Sequence, residues 1–211
     1  MNHFLDIVGD DVALLGDVAL REVVARLCES ELSRRGLPTT AVIWGGHQNA
    51  ADGGIDVAVE LPPTSVVDGF VPRPMTGLQV KLPDMAPSDI KEEMRPEGVL
   101  RGEILDLCNR GGAYVIASGH ATVTKIKLRN RILAMKECVA DAPNGPLLHV
   151  DFYDRVRIAT AIRDNPAIIP WVRERIGKPS RGWHALGSWP GASPLSSEYI
   201  VDGAARLSVT T

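Results

Sequence analysis

Two stretches constrain the fold of this chain more tightly than any others. Residues 55–61, IDVAVEL, and 77–82, GLQVKL, alternate apolar and polar side chains. Successive side chains of a strand point to opposite faces, so residues two apart share a face. Ile55, Val57, Val59 and Leu61 therefore face one way, and Asp56, Ala58 and Glu60 the other. In the second stretch Leu78, Val80 and Leu82 oppose Gln79 and Lys81. If both strands turn their apolar faces to one core, Asp56, Gln79 and Lys81 converge. A carboxylate, an amide oxygen and an ammonium then share one patch.

Other segments complete an α/β pattern. AYVIAS at 113–118 is an apolar run bounded by glycines and predicts a buried strand. TTAVIW (39–44) and LLHVDF (147–152) predict two more strands. Residues 17–35 carry Leu20, Val23, Val24, Leu27 and Leu32 at helical spacing, with Asp17 as a cap and Gly36 and Pro38 as stops. Helices are also expected over 88–94 or 99–109, over 121–140, and over 154–165 and 166–177, divided at Pro166. A proline-rich stretch between the two alternating strands predicts a loop too long for a tight hairpin. The expectation is a mixed sheet with helices packed on it, an α/β domain over residues 1–177. Residues 178–211, rich in Gly, Ser, Pro and Trp, read as an extension or linker.

Composition narrows the partners. The chain has 211 residues, 45% hydrophobic and 23% charged, ordinary values for a globular protein. It has no run of eighteen apolar residues, so no membrane partner is expected. The acidic N-terminus, MNHFLDIVGDD, is unlike a signal peptide. Cys28, Cys108 and Cys138 fit neither a zinc site nor a disulfide framework and read as small buried hydrophobes in a reducing cytoplasm. The net charge of −3 hides an asymmetry: residues 121–185 hold twelve Lys/Arg against six Asp/Glu, leaving −9 elsewhere. Such a division suits a protein that grips phosphates with one part and holds a cation with another. Equally, basic residues can simply solvate helix faces.

The Asp56, Gln79 and Lys81 patch has a chemical use. Mg²⁺ takes oxygen ligands and keeps several waters. Asp56 offers a charged oxygen, the Gln79 carbonyl a neutral one, and a backbone carbonyl near Val80 a third. A cation there polarises a phosphoryl oxygen and acidifies a bound water, while Lys81 stabilises developing negative charge. The glycines ahead of Asp56 keep side chains clear for a phosphate.

DGGIDV followed by LQVK resembles the signature of the PD-(D/E)xK nuclease superfamily, most closely the Mrr-like branch with its Q-x-K variant. The resemblance implies a restriction-endonuclease-like core and Mg²⁺-dependent hydrolysis of DNA phosphodiesters, with Mn²⁺ able to substitute. It assigns Asp56, Gln79 and Lys81 as the core site, with Asp56 and Gln79 on the metal. Asp52 matches an accessory acidic position. The family's first helix commonly gives the metal a glutamate. Glu22, Glu29 and Glu31 compete for that role, and Glu31, on the apolar helix face, is favoured. WGGHQNAADGGIDV and RGWHALGSWP further resemble nuclease effector domains at the N-terminus of bacterial STAND-type anti-phage proteins. That implies self-association, or fusion to an NTPase oligomerisation module, and activation by assembly. No GxxxxGK[ST] loop occurs in this chain.

Several residues carry plainer alternatives. Lys125, Lys127, Arg129 and Arg131 spread around the expected long helix, so one or two could touch a phosphate. His47 and His120 are candidate bases but read as polar surface, and Asp84 reads as a turn cap. Trp171, Trp183 and Trp189 read as core or an interdomain patch. The alternative for the whole chain is a catalytically inactive nuclease-fold domain that binds nucleic acid or mediates assembly.

Overall fold

The computed structural model of the protein describes residues 6–45 and 53–178. Its strands are β1 (Val42–Trp44), β2 (Val57–Glu60), β3 (Met75–Lys81), β4 (Ala113–Ser118) and β5 (His149–Tyr153). Its α-helices are α1 (Gly9–Val12), α2 (Asp17–Arg34), α3 (Pro87–Met94), α4 (Gly102–Asn109), α5 (Lys125–Val139), α6 (Arg155–Arg163) and α7 (Ile169–Arg175). The strands form one mixed sheet in the order β1-β2-β3-β4-β5. The β1/β2 and β2/β3 pairs are antiparallel, and the β3/β4 and β4/β5 pairs are parallel. This is an α/β fold, consistent with a restriction-endonuclease-like core.

Strand alternation divides the interior into two layers. Val57, Val59, Leu78, Val80, Val115, Ala117 and Tyr153 meet α2, α6 and α7 on one face. Met75, Tyr114, Ile116, Val150 and Phe152 meet α3, α4 and α5 on the other. AYVIAS is buried at every position because helices cover both of its faces. All three cysteines are buried, and burial pushes the Cys28 thiol up. Trp171 is buried as well, with the Arg26 and Arg175 guanidiniums stacked on its ring.

Element boundaries depart from the periodicity where side chains compete for the backbone. Thr39–Ala41 is a 3₁₀ turn, so the first strand keeps only three residues. Both alternatives between 88 and 109 form helices, α3 and α4. Gly16 occupies the N-cap of α2, which frees the Asp17 carboxylate to pair with Arg21 one turn on. The helix expected from residue 121 starts only at Lys125. Ser118 Oγ accepts the Ala121 N–H (3.1 Å) and Asp154 accepts the Val123 N–H (3.1 Å), holding that segment extended until Thr124 caps the helix.

Arg131 has a structural role that conflicts with phosphate binding. It is 4% exposed. Its Nε donates to the Met85 carbonyl (2.8 Å), its Nη2 pairs with Asp84 (2.6 Å), and its guanidinium lies 5.1 Å from the Phe152 ring centroid. Asp84 thereby serves a charge pair, where the sequence suggested a turn cap. Arg131→Ala strands the Met85 carbonyl and should cost about 2–3 kcal/mol in urea unfolding. Lys127→Ala, at an exposed position, should stay within about 0.5 kcal/mol.

Candidate functional site

The antiparallel β2/β3 register pairs Val57 with Leu78, so its next step sets Asp56 opposite Gln79. Asp56 stands just ahead of β2 and is fastened to β3 twice. Its N–H donates to the Leu78 carbonyl (2.9 Å), and its Oδ2 accepts the Val80 N–H (2.7 Å). A strand residue's N–H and C=O point to the same side, so the Val80 carbonyl also faces the side on which Asp56 sits. Lys81 follows Gln79 by two residues and lies close enough to act electrostatically on Asp56. The three residues predicted to converge occupy one end of the sheet.

The turn before Asp56 is approached closely by the chain's own Arg101 and Glu103 side chains, so its glycines do not leave the clear space for a phosphate that the sequence suggested. Gly53 and Gly54 have φ of 56° and 85°, the left-handed region that favours glycine. A Cβ on Gly54 would meet Arg101 Cδ at 2.6 Å, and one on Gly53 would collide with Glu103. The Tyr114 hydroxyl donates to the Gly54 carbonyl (3.3 Å) and ties the turn to β4.

Two chains of charge surround the site. On the α2 side, Arg21 pairs with Asp17, and its Nε lies 3.3 Å from Asp56 Oδ1, an ion contact without hydrogen-bond alignment. On the α3 side, Lys81 Nζ lies 2.8 Å from Glu93 Oε2. Glu93 Oε1 contacts Arg101 Nη2 (3.3 Å), and the Glu93 carbonyl accepts from Arg101 Nε (2.6 Å). Arg21, Glu93 and Arg101 were not among the residues singled out from the sequence, and Asp17 was expected only as a helix cap. Asp17 and Arg21 stand one turn apart on α2, a spacing that suggests an ordinary helix pair.

Burial pushes the Asp56 carboxyl above the usual carboxylate range. The Val80 N–H, Arg21 and Lys81 oppose that shift, and Asp17 adds to it. Gln79 is 6% exposed, and its Oε1 has no hydrogen-bond donor among the described residues. A buried amide oxygen without a donor beside a carboxylate fits a hard cation whose remaining ligands are water and phosphate oxygens. Among the described residues no three His, Cys, Asp or Glu side chains group as metal ligands. Among the described residues, the oxygens at this end of the sheet that could hold a cation are those of Asp56, Gln79 and a strand carbonyl. Clefts open beside the site. One of ≈ 310 Å³ between β1–β3 and α4 reaches Asp56, and one of ≈ 530 Å³ beside α3 reaches Lys81.

Glu31 does not join the others. It is 3% exposed, as its place on the apolar helix face predicted. Its Oε2, however, accepts the Val71 N–H (2.9 Å), and its Oε1 pairs with Arg35 (3.1 Å). It lies ten residues along α2 from Arg21, roughly 15 Å at the helical rise. Glu22 pairs with Arg26, and Glu29 accepts from the Trp44 indole. None of the three glutamates contacts Asp56, and the α2 acid nearest the site is Asp17. Asp52 and His47, like Trp183 and Trp189, lie outside the described residues. His120 is exposed. Lys125, Lys127 and Arg129 are exposed at the start of α5. β4 runs parallel to β3, so that helix begins at the sheet end that carries Gln79 and Lys81.

No family model matches the chain, and no curated protein or solved structure is significantly similar to it.

Two substitutions separate site from scaffold. An acid raised by burial lends its stabilisation below its unfolded pKa and loses it as pH rises through the raised folded value. Without divalent cation, Asp56→Asn should therefore melt above the parent at pH 7, and the gain should vanish below the ordinary carboxylate range. Glu31→Ala should leave the Val71 N–H unsatisfied and lower unfolding stability by about 1–3 kcal/mol, with no change in Mn²⁺ affinity by calorimetry.

Proposed function

We propose that the chain is a Mg²⁺-dependent DNA endonuclease domain of the PD-(D/E)xK, Mrr-like kind. The observation that carries this reading is the placing of Asp56 across β2/β3 from Gln79, with Lys81 two residues on and Gln79 Oε1 buried without a donor among the described residues. Asp56 and Gln79 would hold the cation, with Mn²⁺ as a substitute. When bound, the cation supplies Lewis acidity to a phosphoryl oxygen and acidity to a bound water. The chain's own residues do the rest. The Val80 N–H and the Gly53–Gly54 turn orient Asp56. Glu93 holds the Lys81 ammonium at the site, where it offsets negative charge developing on phosphate. Exposed Lys125, Lys127 and Arg129 offer backbone-phosphate contacts at the same end of the sheet.

The biological setting follows from the same resemblance. A nuclease effector in bacterial anti-phage defence acts in the cytoplasm and must be restrained until needed. Self-association, or fusion to a STAND-type NTPase, would bring two sites to opposite strands and switch activity on. Among the described residues no helix is long and apolar enough to cross a membrane.

A second reading is an inactive domain of the same fold that binds nucleic acid or mediates assembly. It is favoured by the Arg21 guanidinium on Asp56 and by the lack of a carboxylate cluster among the described residues. Plasmid cleavage separates the two. Cleavage with Mg²⁺ that EDTA abolishes, and that falls at least about 100-fold in Asp56→Asn and Lys81→Ala, supports the enzyme. Salt-dependent DNA binding without cleavage at any protein concentration supports the inactive domain. Cleavage that survives both substitutions would remove this site from either account.

A further inference from the structure

The carboxylate proposed to receive the cation already has a cationic neighbour. We infer that Arg21 is a displaceable counter-ion that occupies Asp56 until a divalent cation takes its place, and that Asp17 is the carboxylate that retains it afterwards. This inference deepens the nuclease reading and rests on Asp56 being the cation-binding carboxylate.

The geometry sets the two contacts apart. The Val80 N–H holds Asp56 Oδ2 at 2.7 Å in line with the strand, so that oxygen is fixed by the backbone. Oδ1 is met only by Arg21 Nε among the described residues, at 3.3 Å and without hydrogen-bond alignment. Arg21 Nε is buried, so it gives up water for a contact it does not complete. Its Nη2, by contrast, donates to Asp17 Oδ2, one helical turn away on the same face of α2. The guanidinium is thus anchored at one end and loose at the other. Releasing Asp56 costs it one poorly aligned contact and leaves the anchored one.

The site's neutrality also requires a partner of this kind. Asp56 is 16% exposed, and a buried carboxylate without a counter-charge is costly. Lys81 is the next cation, but it is held by Glu93 at 2.8 Å and is therefore partly neutralised. Arg21 fills the gap. A divalent ion at Oδ1 and Gln79 Oε1 would meet an unpaired amide oxygen and one occupied carboxylate oxygen, and only the second must be cleared. Arg21 and Asp17 together would then set how much free cation is needed to load the site.

The test is Mn²⁺ binding to the full chain by calorimetry, with thermal melts confirming that each variant is folded. Arg21→Gln should tighten Mn²⁺ binding by about three- to fivefold, the size of a partly exposed ion contact. Arg26→Gln removes the same charge from the next turns of α2, where it pairs with Glu22. It should change the affinity by less than about 1.5-fold, since screening weakens charges at that separation. Asp17→Asn should weaken binding, and by more in the parent than in the Arg21→Gln background. Equal tightening by Arg21→Gln and Arg26→Gln would show a diffuse charge effect and overturn the inference. Unchanged or weaker binding in Arg21→Gln would overturn it too. In either event, loss of binding in Asp56→Asn would leave the proposed cation site standing. Full Mn²⁺ affinity in Asp56→Asn would instead remove the site itself.

Discussion

The bond from the Val80 N–H to Asp56 Oδ2 is the contact on which the site depends. β2 begins only at Val57, opposite Leu78, while β3 runs on to Lys81, so β3 extends past its antiparallel partner. Backbone groups beyond that end would lack a ladder partner. Asp56 supplies one from its side chain and in doing so becomes fixed beside Gln79. A shift of one residue in the register would turn Asp56 to the other face and carry every apolar residue of β2 out of its layer. The hydrophobic pattern and the position of the carboxylate are therefore the same constraint.

The register is not held by a tight turn, because more than a dozen residues separate β2 from β3. Three bonds replace it. The Leu61 N–H donates to the Pro74 carbonyl (3.0 Å) and closes the loop at its base. Glu31 takes the Val71 N–H, and the Tyr153 hydroxyl donates to the Phe70 carbonyl (3.0 Å). Glu31 thus acts at a distance from the site it was expected to join. It anchors the loop that keeps the two strands in step. A buried carboxylate on the core face of a helix needs donors, and here they are the Val71 N–H of the loop and the Arg35 guanidinium one turn on.

Charge around the site is arranged in compensated chains, not as an exposed basic surface. Asp17, Arg21 and Asp56 form one chain, and Lys81, Glu93 and Arg101 the other. Each chain places an opposite charge against a proposed site residue. Arg101 also packs over Gly54, so the second chain links Lys81 to the turn ahead of Asp56. The basic excess of the second half, by contrast, serves several ends. Arg131 is buried in structure, Arg157 lies on the Tyr153 ring, and Lys125, Lys127 and Arg129 remain exposed.

What the sequence by itself determined is the part that local period carries. Alternation in IDVAVEL and GLQVKL put Val57, Val59, Leu61, Leu78, Val80 and Leu82 on one face, but Ile55, ahead of β2 where the repeat no longer holds, packs in the other layer; the unbroken apolar run of AYVIAS announced a strand covered on both sides. Within β3 the two-residue repeat puts Gln79 and Lys81 on one face, while Asp56, just ahead of β2, is held opposite them by its bond from the Val80 N–H. Only the tertiary structure decided which charges meet. Glu31 joined a loop forty residues away, Arg131 reached back to Met85 and Asp84, and Arg21 and Glu93 arrived at the site from different helices. Long side chains can reach any of several partners, and which they reach depends on how helices pack, a matter that no local repeat encodes.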